Sequence, residues 1–183
     1  VVTWTSTGQD TFFTHTGLSL SEGATYYNHI RRLTGFSQPI DTTSSDGVTI
    51  DLTAPVMDAI YEGALSADMD FQQSTASLTL AWSGSDDTSG IDQYEYAWGT
   101  TAGSTDIVAW SATSQQSAET TGLSLQDGSV YYGSVRAADI AGNQSATLTG
   151  DGINIDASAP ADGMVVDGDS VDIDFTSSTI TLT

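Results

Sequence analysis

The chain has no cysteine and no lysine, and its three basic residues are all arginine. Without thiols there is no disulfide framework, no thiolate nucleophile and no soft-metal ligand. With so few cations the surface cannot track a phosphate backbone or an anionic lipid headgroup, so nucleic acid and membrane surfaces are not expected partners. No stretch approaches the roughly 18 apolar residues of a membrane-spanning helix, and no secretory leader pattern is visible. Histidine is nearly absent as well, with only His15 and His29. Neither has a companion nucleophile or carboxylate in a recognisable constellation, so no catalytic function is expected. Helical periodicity is missing too.

Acid is present in abundance. There are 24 Asp and Glu residues and the formal net charge is −21. Such a surface stays soluble and draws cations, but it repels itself at low salt. Dissolved salt or bound divalent ions relieve that repulsion, so a saline or calcium-rich exterior is the expected setting.

The sequence also repeats itself. Gly17-Leu18-Ser19-Leu20 returns as Gly122-Leu123-Ser124-Leu125, Tyr26-Tyr27 as Tyr131-Tyr132, and Ala54-Pro55 as Ala159-Pro160. Between 17–55 and 122–160, 15 of 39 positions are identical without a gap. Val2 and Trp4 match Val108 and Trp110 one residue out of step. A period near one hundred residues is the size of a whole domain rather than of a small repeat unit. Residues 56–160 are therefore expected to form one complete unit. Residues 1–55 are expected to be the back of a preceding unit, and 161–183 the front of a following one. Two incomplete ends leave open edges, and a head-to-tail pairing between neighbouring copies would cover them.

Within 56–160 the apolar residues alternate. Leu78, Leu80 and Trp82 share one face; Tyr94, Tyr96 and Trp98 share another. Strands are also expected at 107–112, 117–121 and 130–138, with a last one over 144–155 bent at Asp151-Gly152. Residues 83–90 read as an acidic loop and 126–128 as a turn. Many short alternating strands with turn residues between them predict an all-β, antiparallel β-sandwich.

These residues resemble a fibronectin type III-like domain of the kind strung in tandem in large bacterial surface proteins. Leu78-x-Leu80-x-Trp82 is similar to its second strand and 91–96 to its third. Gly122-Leu123 through Tyr131 resembles the turn into its sixth strand, with Tyr131 at the tyrosine corner. Val135 to Asn143 resembles that strand and the loop after it. The stretch Asp68-Met69-Asp70-Phe71 follows Glu62-Gly63 and recurs as Asp172-Ile173-Asp174-Phe175 after Asp167-Gly168.

The resemblance implies that the loops after the second and sixth strands meet the arriving linker 51–55 at one pole. Asp51, Asp86, Asp87, Asp139 and Asn143 are then the candidate ligands of a calcium ion, which favours six to eight oxygens. The same acids and amides are also natural turn formers. Asp86 and Asp87 are too close in sequence to face each other across a substrate as a hydrolytic pair. Trp98, Trp110 and Tyr132 are candidates for an aromatic glycan platform, and Arg136 is expected to pair with Glu95. The expected role is a spacer or stalk in an extracellular or cell-surface, adhesin-like protein. The alternatives are a glycan- or protein-binding module and an accessory segment of a secreted polysaccharide-degrading enzyme.

Overall fold

The computed structural model of the chain describes residues 3–8, 10 and 12–163. The expected front of a following unit, 161–183, falls almost wholly outside them. Among the described residues no helix is long and apolar enough to cross a membrane, and the regular structure is β throughout.

The leading segment carries four short strands. β1 (Thr25–Tyr26) pairs with β4 (Val48–Thr49), and β2 (His29–Leu33) pairs with β3 (Pro39–Ser44), both antiparallel. The rest form two sheets. The first takes β5 (Val56–Ala64), β6 (Ala67–Asp68), β8 (Ser77–Ser85) and β11 (Ser117–Thr121), in the order β11-β8-β5-β6. The second takes β7 (Phe71–Gln72), β9 (Ile91–Gly99), β10 (Val108–Thr113), β12 (Val130–Asp139), β13 (Leu148–Thr149) and β14 (Ile153–Ile155). Its order is β10-β9-β12-β14-β7, with β13 also on β12. Every pairing is antiparallel except β7 beside β14.

Alternation decides which side chains meet between the sheets. Leu78, Leu80 and Trp82 come from the first sheet; Tyr94, Trp98, Tyr131, Val135, Ile153 and Ile155 come from the second, and all are buried. The indole of Trp82 stacks on Tyr96 at 5.8 Å and meets Tyr94 at a tilt. Burying each large apolar side chain is worth about 1.5–3 kcal/mol, so this set is the main source of cohesion. Trp98 has no exposed surface at all. It belongs to the core and cannot serve the glycan platform expected of it.

Two boundaries differ from the sequence expectation. β8 continues to Ser85, because Val56 and Met57 of β5 pair with Ser85 and Gly84. The last strand is divided into β13 and β14. Gly152 stands between them at φ 100°, and a Cβ there would lie 2.7 Å from Val130 Cγ1 and 2.9 Å from the Tyr132 ring. Only glycine fits that break. Arg136 pairs with Glu95 as expected, Nε donating to Oε2 at 2.7 Å, and its guanidinium lies 4.4 Å over Trp110.

The local structure of 122–160 recurs in 17–55. Gln126 N–H donates to Tyr131 Oη at 3.0 Å, and Ser21 N–H donates to Tyr26 Oη at 3.0 Å. Gly128 N–H reaches the Ile155 carbonyl, as Gly23 N–H reaches that of Ile50. Gly47, at φ 101°, faces Thr25 and Tyr27 as Gly152 faces Val130 and Tyr132. Arg31 lies 4.1 Å over Trp4 as Arg136 lies over Trp110.

Candidate cation site at the junction

Three elements converge where the leading segment meets the sandwich. The linker brings Asp51, the turn after β8 brings Asp86, and the end of β12 brings Asp139. One carboxylate oxygen from each lies within 4.8 Å of the others. Asp51 and Asp139 are buried, and Asp86 is half-buried. Asp87, adjacent to Asp86, is exposed and takes no part in this group. Asn143 is present, but as a donor. Its amide Nδ2 hydrogen-bonds to Asp139 Oδ2 at 2.8 Å and to the carbonyls of Asp51 and Thr53 at 3.2 and 3.3 Å.

Each aspartate is built in by its own turn. Asp86 Oδ1 accepts the N–H groups of Thr88, Ser89 and Gly90, the shortest at 2.7 Å. Asp139 Oδ1 accepts those of Gly142 and Asn143, both at 2.7 Å. These are Asx turns, in which a short side chain takes amides that the turn leaves free. Asp51 works across the junction. Its Oδ1 accepts Thr53 N–H at 3.0 Å, and its Oδ2 accepts Ser89 N–H at 3.1 Å. Hydrogen bonding to the Ser89 side chain, aided by these amides, lowers the Asp51 carboxyl below its ordinary range, against the opposing effect of burial. Asp51 is therefore ionised at neutral pH, and stability gained from it is lost only as pH falls through the lowered value.

Glu22 joins the same neighbourhood, unforeseen from sequence. Its Oε2 accepts Leu52 N–H at 2.6 Å, and its Oε1 accepts Thr88 Oγ1–H at 3.3 Å. The residue at the matching sequence position in 122–160, Asp127, accepts Ala157 N–H at 2.8 Å and the Ser158 hydroxyl. The recurring acid three residues before β1 and β12 was the available signal. Ser89, which meets Asp51 through both its backbone N–H and its side chain, left no such trace.

Chemically the junction offers hard anionic oxygens and no nitrogen or sulfur ligand, a donor set suited to calcium or magnesium. It also has amide donors on many of those oxygens, which hold the turns without any ion. No imidazole or basic side chain stands among these groups.

No protein-family model matches the chain, and no curated protein matches it in sequence.

Proposed function

We propose that the chain is a stretch of an extracellular stalk: fibronectin type III-like sandwiches in tandem, spacing some other part of a long surface protein outward. Calcium at Asp51, Asp86 and Asp139 stiffens the joint between units. The observation that carries this reading is the recurrence, about one domain length apart, of the same sequence with the same corner, glycine break and arginine–tryptophan contact. The linker between the copies is fastened at both ends, through Glu22 on one side and through Ser89 and Asn143 on the other. A joint held this way resists bending, which a spacer needs. Strand order β11-β8-β5 facing β10-β9-β12-β14 supports the fibronectin-like assignment.

The test is small-angle scattering of the chain in calcium and in chelator, at matched ionic strength. The reading expects a longer, narrower distance distribution in calcium, lost in Asp51→Asn/Asp86→Asn. Identical curves in both buffers would remove calcium from the joint.

A second reading rests on the apolar side chains of the leading segment. Leu20, Tyr26 and Ile30, which match the buried Leu125, Tyr131 and Val135, are 39%, 37% and 76% exposed. Strands supplied by a neighbouring copy would cover them, giving head-to-tail assembly. Sizing across a concentration series tests this, and a monomer throughout would discard it.

A further inference from the structure

A different group of acids lies on the sandwich body, one of them buried and two exposed. On β5, Ile60 pairs with Trp82 and Glu62 pairs with Leu80. Partners across an antiparallel pair project to the same side, and Leu80 and Trp82 are core residues. Glu62 thus takes a position that the alternation reserves for an apolar side chain. It is 1% exposed.

One carboxylate oxygen is accounted for. Oε1 accepts Gly133 N–H from β12 at 3.2 Å. The other, Oε2, is buried and has no hydrogen-bond partner among the described residues. Asp68 and Asp151, both exposed, each bring an oxygen to the same place, and the three groups lie within 4.8 Å of one another. Asp68 is fixed there, its Oδ1 accepting Glu62 N–H at 2.8 Å. Gly150 leaves the necessary room, since a Cβ on it would stand within 2.3 Å of both Glu62 carboxylate oxygens.

The leading segment shows what the backbone alone requires. There Ser45 and Asn28 stand where Gly150 and Gly133 stand in the sandwich. Ser45 N–H donates to the Asn28 carbonyl at 2.8 Å, as Gly150 N–H does to Gly133 at 2.9 Å. The Asn28 N–H is met by Ser45 Oγ at 3.0 Å. A neutral hydroxyl therefore satisfies this amide. A buried carboxylate beside two more carboxylates is far more than the amide needs, and its second oxygen is left without a donor.

We propose that Glu62, Asp68 and Asp151 bind a divalent cation, calcium by preference, between the edge of the first sheet and β12–β13. The donors are all hard oxygens, and three carboxylates with water on the exposed side suit the larger, more flexible coordination of calcium better than the strict octahedron of magnesium. Acidic residues recur at the matching sequence positions, Asp46 for Asp151, and Asp167 and Asp172 for Glu62 and Asp68. In the absence of an ion, burial raises the Glu62 carboxyl above its ordinary range, Asp68 and Asp151 add to the rise, and the Gly133 amide opposes it. The site shares no residue with the junction group and does not depend on the stalk reading.

The test uses the whole chain, stripped with chelator and titrated with calcium chloride by calorimetry and by thermal melting. Magnesium chloride, and sodium chloride at matched ionic strength, serve as controls. Asp51→Asn/Asp86→Asn removes the junction group. In that background calcium is expected still to bind and to raise the melting temperature more than either control. Adding Glu62→Gln, which keeps an acceptor for Gly133, is expected to weaken binding by more than about tenfold. In chelator, Glu62→Gln is expected to melt no lower than its parent, because it removes a buried charge. The proposal is overturned if calcium shifts parent and Glu62→Gln equally, or if sodium reproduces the shift. It also falls if Glu62→Gln loses as much stability in chelator as in calcium. Should Glu62→Gln fail to fold, Asp151→Asn at the exposed position gives the same reading: a lost calcium response supports the site, an unchanged one refutes it.

Discussion

Segments 17–55 and 122–160 share much of their sequence and most of their local hydrogen bonds, yet the inward-facing side chains of 122–160 are buried and their counterparts in 17–55 are exposed. Tyr131, Leu125 and Val135 are 4%, 7% and 0% exposed; the matching Tyr26, Leu20 and Ile30 are 37%, 39% and 76% exposed. The tyrosine corner and the glycine break form in both, because each is made by residues of the same segment; the arginine–tryptophan contact recurs as well, through Trp4 and Trp110 from outside the segments. Burial is not local. It is delivered to 122–160 by β8 and β9, through Leu80, Trp82 and Trp98, and no described residue plays that part for 17–55. Turn chemistry thus writes the shape of a strand pair, and distant strands decide whether that shape becomes core.

Matched substitutions in the two segments measure this division. The largest difference is expected for Leu125→Ala against Leu20→Ala. The first opens a cavity and should cost about 2–4 kcal/mol in urea unfolding, the second less than about 1 kcal/mol. Equal losses would mean that 17–55 has a core of its own. Gly152→Ala and Gly47→Ala come next. Each forces a Cβ into a side-chain contact at positive φ, for about 1–3 kcal/mol of strain. Only the Gly152 change should lower the main melting transition; the Gly47 change should leave it in place. Tyr131→Phe strips the acceptor from the Gln126 amide and is expected to cost about 1 kcal/mol, while Tyr26→Phe should barely register.

The smallest effect concerns pH. Bonding to Ser158 and then to Ala157 holds the Asp127 carboxyl below its ordinary range. A lowered folded value contributes stability above the ordinary carboxylate range and loses it as pH falls through the lowered value. Asp127→Asn should therefore destabilise at neutral pH, with the deficit closing in acid. A deficit independent of pH would show that the charge is irrelevant there.

These comparisons also mark where the sequence was readable. Alternation at 78–82, 94–98 and 131–137 identified the two faces of the sandwich, since a period of two has a direct geometric meaning. The resemblance placed the corner at Tyr131 and the turn residues placed the bend at Asp151-Gly152; their counterparts at Tyr26 and Gly47 emerged only in the structure. Three of the five junction residues fell into one acidic group because the turn after β8 and the end of β12 do meet the linker. Asp87 did not, since adjacent residues of a turn face different ways and composition cannot say which faces inward. Asn143 entered as a hydrogen-bond donor to the Asp139 carboxylate and to the linker carbonyls. Trp98 was misread as a strand-end platform, since its burial depends on packing between sheets. Glu62 was the largest omission. Its inward position follows from the pairing of β5 with β8, which the sequence pattern did not supply.

Hydrogen exchange on the monomeric chain, followed peptide by peptide, addresses the contrast between the segments head on. Amides of 130–139 should exchange only through global opening, at rates set by the full stability of the sandwich, while those of 25–33 should exchange orders of magnitude faster through local opening. Comparable protection in both stretches would refute the claim that distant strands, rather than local turns, supply the core.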